Sequence, residues 1–442
     1  MNPELQRNLW LEITLHRLLL VPGVIFTAAA LLHAIDPSDT ALNKTALFSF
    51  VTLTMVWGAR QAANSVLDEA RARTWDIQRM CALSPWRMTW GKLCGATVMS
   101  WLAGLCCLLI FLGTGGADNA AGAGMTVLLI VAVAVLTQAA ALIGALVGLH
   151  RGSGVQSRFG NLLVVALLMF MLPNIMSIVD PQQTVHWYTL TFRRLPFATV
   201  AATLFAAWAV LGALRAMCME LKIGTRPWAW LAFAPFITFF ISGFAGIELT
   251  PSLELARCLF ATLTLAAIVQ SYLAAFAYPS DPVQLRRSAR AFTGGHYRRA
   301  LEELPLWLVA AALAVLAALT ATALGSAPQL TNQRLDNLGP VSLAAVLMML
   351  RDLALLSYFG MTLRPGRAEA TTLVYIVILD GLLPALLPHL GLGALVQLLW
   401  PPFFTAPFTA IAILAVHFAL VLALPLVAYR RLQGALNETS GG

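Results

Sequence analysis

Charge is what this chain has least of. Of its 442 residues only 11% are Asp, Glu, Lys or Arg, whereas 59% are apolar. Soluble domains carry about 25% charged and about 45–50% apolar residues. So few charges cannot cover a water-facing surface, which excludes a secreted enzyme, a DNA-binding protein and a disordered chain. The six cysteines, Cys81, Cys94, Cys106, Cys107, Cys218 and Cys258, lie mostly in apolar runs. None forms a CxxC or a zinc-type Cys/His spacing, so they read as small buried hydrophobes. No Gly-x-x-x-x-Gly-Lys-[Ser/Thr] phosphate loop occurs, because Gly91-Lys92 is followed by Leu93; ATP is not bound by that route. No catalytic triad, metal cluster or pair of catalytic carboxylates assembles, and the first residues do not read as a cleavable signal peptide.

Apolar sequence is present instead, in long runs. They fall at 17–36, 46–67, 93–114, 124–149, 159–179 and 195–217, then at 228–247, 254–277, 304–325, 338–361, 370–390 and 403–428. Each is close to the roughly 20 residues that a membrane-crossing helix needs. The expected fold is therefore an all-α polytopic membrane protein with about 12 transmembrane helices. Ahead of them Leu5, Leu9 and Ile13 recur at helical spacing, the pattern of a short amphipathic helix on the membrane surface.

Basic residues set the orientation. All but six of the 28 Lys and Arg fall on one set of loops, the densest being 60–92 and 286–299. The six are Lys44, Arg193, Arg194, Arg257, Arg334 and Arg351. The positive-inside rule makes the basic side cytoplasmic and places both termini there. Arg193 and Arg194 fit this least well and read as flanking a short external or re-entrant segment.

The runs also repeat. The starts of the second six follow those of the first six at a near-constant offset of about 210 residues, which predicts two pseudo-repeated halves. Thr52-Leu53-Thr54-Met55 returns as Thr262-Leu263-Thr264-Leu265. The expected organisation is a first six-span half over 1–217, a cytoplasmic linker over 218–227 and a diverged second half over 228–442. The halves are parallel repeats, because each begins and ends inside.

The segment from Asp68 to Leu93 carries the densest signal. Thr74 is placed to cap a helix over 75–83, with Asp76 near its positive end. Pro85 breaks that helix and Ser84 can cap the next. Trp75, Ile77 and Met80 would offer apolar contacts to a cytosolic partner, with charges at the rim. Here the chain resembles the permease subunits of ABC-2 type (exporter) ABC transporters. The resemblance rests on Glu69, Arg73, Thr74, Leu83, Ser84, Pro85, Gly91 and Lys92, with Arg73 where many relatives have Gly. It covers about 25 residues closely, and residues 1–220 more loosely through the six-span layout and amphipathic start. The resemblance implies a coupling loop that contacts an ATPase, formed by Glu69, Arg73, Thr74, Trp75, Asp76, Arg79, Leu83, Ser84, Pro85, Trp86 and Lys92. In the second half, residues 278–299 lack the Leu-Ser-Pro-Trp core; an Arg-rich helix with Arg286, Arg287 and Arg290 and a Gly294-Gly295 break stands in the corresponding loop.

Ionisable groups inside a bilayer cost roughly 2.5–3.5 kcal/mol on insertion scales, so each needs a reason. Arg351 and Asp352 lie mid-run, Thr137 and Gln138 occupy the matching place in the first half, and Asp380 can pair with Arg351. These five are the candidate translocation path. Pro173, Asn174 and His417 read as packing features.

The resemblance therefore implies the membrane component of an ATP-driven exporter in a bacterial inner membrane. Its partners are the lipid bilayer and a separate cytosolic ATPase, in two copies, which holds the ATP and Mg²⁺. The chain itself would bind no cofactor and no nucleic acid, and would be no enzyme. Two other readings stay open: an ion-coupled secondary transporter using Arg351, Asp352 and Asp380, and an integral membrane enzyme acting on lipid.

Overall fold

A computed structural model of the chain describes residues 2–81, 83–115, 120–150, 184–225, 227–245, 253–277, 282–325, 337–362, 367–401 and 406–440. Among the described residues helix dominates, and eight helices are long and apolar enough to cross a membrane: Leu15–Ile35, Gly122–Leu149, Arg194–Glu220, Leu255–Ala277, Leu306–Ala323, Leu338–Thr362, Arg367–Leu390 and Pro407–Arg430. A ninth candidate, Pro85–Gly95 with Val98–Gly113, is bent by 48°. The expected run 228–247 forms a shorter apolar helix, Trp228–Ser242. The run 46–67 lies in a helical stretch that turns polar at its end. The run 159–179, with Pro173 and Asn174, lies outside the described residues.

The chain divides into two compact units, Met1–Val185 with Thr191–Thr225, and Arg226–Gly442 with His186–Leu190. The division at Thr225 falls inside the segment 218–227. That segment is not all linker, however, because the helix Arg194–Glu220 runs through Cys218 to Glu220.

In the first unit α1 (Pro3–Glu12) and α2 (Leu15–Ile35) precede α3 (Asp39–Val51), a π turn Thr52–Trp57 and α4 (Gly58–Arg71). Two short helices follow, α5 (Trp75–Met80) and α6 (Pro85–Trp90), then a π turn Gly91–Gly95, α7 (Val98–Gly113) and α8 (Ala120–His150). Strands β1 (Thr184–Trp187) and β2 (Leu190–Arg193) form a small hairpin that the apolar pattern does not announce, and α9 (Arg194–Glu220) starts directly from it. Arg193 and Arg194 thus mark the junction of hairpin and helix. α3 packs on α7, α4 on α8, and α8 on α9. Phe50, Met55, Phe111, Ile130 and Val133 form the upper core, and Val66, Trp75, Met88, Leu146 and Met217 the lower one.

The second unit contains α10 (Trp228–Ser242), α11 (Leu253–Ala277), α12 (Pro282–Thr293), α13 (Tyr297–Glu303) and α14 (Leu306–Ala323). It continues with α15 (Leu338–Thr362), α16 (Arg367–Ile376), a π turn Val377–Leu382, α17 (Leu383–Leu386), α18 (Gly393–Leu399) and α19 (Pro407–Ser440). α11 packs on α14 and α15, and α15 on α19. The α11/α14/α15 seam is lined by alanines, Ala267, Ala275, Ala311, Ala314 and Ala318, so the helices approach closely, as small residues allow in membranes. The hairpin tip belongs to this unit: Trp187 Nε1 donates to the Phe240 carbonyl at 3.0 Å and the Tyr188 hydroxyl to that of Phe239 at 2.8 Å.

One glycine shows how tight the first bundle is. A Cβ on Gly104 would lie 2.5 Å from Thr54 Cγ2, whereas one on Gly113 of the same helix would meet nothing within 4 Å. Thermal unfolding in detergent should therefore separate them. Gly104→Ala should lose about 1–3 kcal/mol through overpacking, and Gly113→Ala should be neutral or slightly stabilising.

Candidate functional site

The loop between α4 and α7 is assembled from the ends of four helices. α4 terminates at Arg71 in a Schellman motif: Thr74 N–H donates to the Glu69 carbonyl at 3.0 Å and Arg73 N–H to that of Ala70 at 3.1 Å. Such a motif needs a left-handed residue, usually Gly. Arg73 takes that conformation, with φ of 57°. Thr74 does not cap α5 as expected, because its hydroxyl donates back to the Glu69 carbonyl at 3.2 Å. α5 is also shorter than the expected 75–83 and ends at Met80. Ser84 does cap the next helix, accepting from Arg87 N–H at 3.4 Å, with Pro85 at its first position.

α5 is fixed to the end of α9 by Glu220. Trp75 Nε1 donates to the Glu220 carboxylate at 3.2 Å. The Arg79 Nη2 reaches the Glu220 carbonyl at 2.8 Å and its carboxylate at 3.3 Å, and also stands 3.5 Å from Asp76 through Nη1. Trp75 is therefore buried and is not a contact for a partner. The outward apolar groups are Ile77, Met80 and Trp86, exposed by 61%, 80% and 50%. Leu83 is partly covered by the lower core.

Lys92 is fully buried. Its ammonium lies 2.5 Å from Glu69 and 3.3 Å from Glu4, donates to the Ser65 carbonyl at 3.1 Å, and sits 5.2 Å from the centre of the Trp75 ring. Arg7 completes the group, pairing with Glu69 and, at 2.9 Å, with Glu4. Two cations thus meet two carboxylates. Asn8 adds a bond to the Gly91 carbonyl at 3.1 Å, and Asn2 one to that of Arg87 at 2.7 Å. A Cβ on Gly91 would overlap Glu4, and one on Gly95 would come within 2.8 Å of Asn8 Cβ. α1 thus turns a polar edge inward and leaves Trp10, Leu11 and Leu15 (the start of α2) exposed. Glu4, Arg7, Asn8 and Glu220 were not among the residues picked out from sequence. The i, i+4 spacing of Glu4 and Asn8 was the available signal.

The second loop has the same plan. α12 ends in a Schellman motif with His296 N–H on the Ala291 carbonyl at 2.9 Å and Gly295 N–H on that of Phe292 at 3.1 Å. Gly295 has φ of 75° and holds the left-handed position that Arg73 holds in the first loop. A short helix, α13, starts two residues later, and Leu304-Pro305-Leu306-Trp307 opens α14 much as Leu83-Ser84-Pro85-Trp86 opens α6. The Leu-Ser-Pro-Trp core itself is absent, because Pro305 stands at the N-cap and no serine caps the helix. Ser288 donates to the Ala300 carbonyl at 3.0 Å and ties α13 to α12. Arg287, Arg290, Arg298 and Arg299 are exposed beside an edge-to-face pair, Phe292 and Tyr297. Arg286 lies on α12, whose residues 285 and 286 are described in backbone only.

The mid-span polar residues sit within their own units. Thr137 and Gln138 are fully buried in α8. The Gln138 Nε2 donates to the Thr54 carbonyl at 3.0 Å, in the π turn, and Thr137 bonds to its own helix at 2.9 Å. In the second unit Arg351 binds Asp352 (2.8 and 2.9 Å) and both oxygens of Asp380 (2.7 and 2.9 Å), while the Tyr272 hydroxyl donates to Asp352 at 2.7 Å. The expected Arg351–Asp380 pair is formed. Among the described residues no group of three or more His, Cys, Asp or Glu could hold a metal.

Compared with known proteins, the chain matches no family model, no curated protein and no solved structure. The helices themselves define the class, an α-helical multi-pass membrane protein.

Two predictions follow from the loop geometry. Arg73→Gly should stabilise the protein and Gly295→Ala destabilise it, each by about 1 kcal/mol in thermal unfolding, since a left-handed backbone disfavours a Cβ by that order. Lys92→Ala, which leaves Glu4 and Glu69 with only the half-exposed Arg7 between them, should cost about 3–5 kcal/mol. Arg7→Ala, at the exposed rim, should cost under about 1 kcal/mol.

Proposed function

We propose that this chain is the membrane permease of an ATP-driven exporter of the ABC-2 type, worked by separate cytosolic ATPase subunits, two copies in all. In this reading twelve spans form two six-span halves in a bacterial inner membrane, with both termini cytoplasmic. The observation that carries it is the α5–α6 segment. It offers Ile77, Met80 and Trp86 outward and is tied through Glu220, Glu69 and Lys92 to α9, α4 and the start of α7. A force applied there moves whole helices, which is what a lever for a gate requires.

The packing within each unit supports two halves. Counting the expected spans, the second packs on the third and fourth and the fourth on the sixth in both units. At the same offset of 214 residues that relates Gln138 to Asp352 by number, both reach back to the second span of their unit, at Thr54 and at Tyr272. The second loop, with its matching helix end and a proline at the cap of its span, serves as the second docking lever, offering Phe292 and Tyr297 where the first offers Ile77, Met80 and Trp86.

The Arg351–Asp352–Asp380 cluster favours a second reading, an ion-coupled transporter that needs no ATPase. The two separate in one experiment. The tagged chain is purified from its native membranes and the accompanying Mg-ATP hydrolysis is measured. Replacing Ile77, Met80 and Trp86 together by Glu should lower that hydrolysis by about ten-fold or more, with the chain still monodisperse, because all three side chains face outward. Undiminished hydrolysis, or none with the unaltered chain, overturns the ATPase reading.

A further inference from the structure

The two units treat a buried cation differently. Lys92 and Arg7 face Glu4 and Glu69, so that group is balanced. Arg351 alone faces two carboxylates, Asp352 and Asp380. Both lie near the middle of apolar helices, Asp352 in Leu338–Thr362 and Asp380 in Arg367–Leu390. Their side chains are almost wholly buried, at 3% and 9% exposed, with Arg351 at 5%.

Among the described residues, three helices and one π turn supply the titratable groups around them. α11 contributes Tyr272, whose hydroxyl donates to Asp352 Oδ2. α15 contributes Arg351 and Asp352, the π turn Val377–Leu382 contributes Asp380, and α19 contributes His417, which interacts electrostatically with Arg351 and Asp380. None of these supplies a second permanent cation. With both carboxylates ionised and His417 neutral, the cluster carries one excess negative charge. Hydrocarbon offers neither water nor counter-ion to offset it.

We propose that Asp352 and Asp380, bridged by Arg351, form a binding site for a single proton inside the second unit. The proton is shared by the pair, as coupled carboxylates titrate together, and its ligand class is the hydrogen ion, not a metal. Proton release leaves Arg351 pulled between two charges on separate helices. Asp380 belongs to a span whose π turn and following α17 bury no apolar residue, so its hold on α15 through Arg351 is the contact that a proton adjusts. This site stands whether or not the ATPase reading does.

The test uses the full-length protein in lipid nanodiscs and infrared difference spectroscopy across a pH titration, with proton uptake counted by indicator dye. The unaltered protein should show one protonated-carboxyl band, sensitive to deuterium exchange, that appears as pH falls, with one proton bound per chain. Asp352→Asn and Asp380→Asn should each abolish it, because one carboxylate and one guanidinium need no proton. His417→Gln should keep the band. Absence of the band in the unaltered protein overturns the site without recourse to any variant. So does a band that survives both Asn substitutions, or one that is lost in His417→Gln while the protein stays monodisperse.

Discussion

A charge surrounded by apolar side chains must find its opposite within reach, and this molecule is arranged around that requirement. Lys92 has no exposure at all. Its neutralisation draws Glu4 from α1 and Glu69 from α4 to one point, and with them the Arg7 and Asn8 bonds that hold α1 down. The first loop is held by these contacts, not by any intrinsic stability of its short helices. A six-residue helix such as α5 could not persist alone. Arg351 imposes the same demand on the second unit and gathers two helices and a tyrosine from a third. Breaking a buried pair strands a charge, which makes both clusters costly to disturb.

The π turns mark where these demands meet the helices. Thr52–Trp57 contains Thr54, whose carbonyl receives Gln138; Gly91–Gly95 contains Lys92; Val377–Leu382 contains Asp380. A wide turn reorients side chains and loosens the backbone ladder, and such turns gather at functional positions. All three coincide here with a polar group that crosses to another helix.

The two loops show how far a repeat can drift while its geometry stays. Arg73 and Gly295 share a left-handed backbone, and each is followed by a short helix and a proline-started span. Yet one loop presents Ile77, Met80 and Trp86 and the other Phe292 and Tyr297. Backbone hydrogen bonding fixes the helix ends, whereas exposed side chains answer only to whatever they touch.

Sequence by itself determined the class of the fold and most helix positions, because a run of about 20 apolar residues has few other places to go. It also supplied Ser84 as a cap, the Arg351–Asp380 pair and the loop at 68–92, each visible in local residue type. Tertiary structure decided the rest. Trp75 reads as an exposed contact on spacing alone, but it turns inward because Glu220, 145 residues away, offers its carboxylate to the indole. Thr74 reads as a cap but donates to Glu69, since the helix before it ends in a Schellman turn. Lys92 reads as a juxtamembrane charge, and only the approach of α1 over Gly91 and Gly95 buries it. Periodicity reports which face of a helix is apolar. It carries no information about which distant helix will arrive there with an opposite charge.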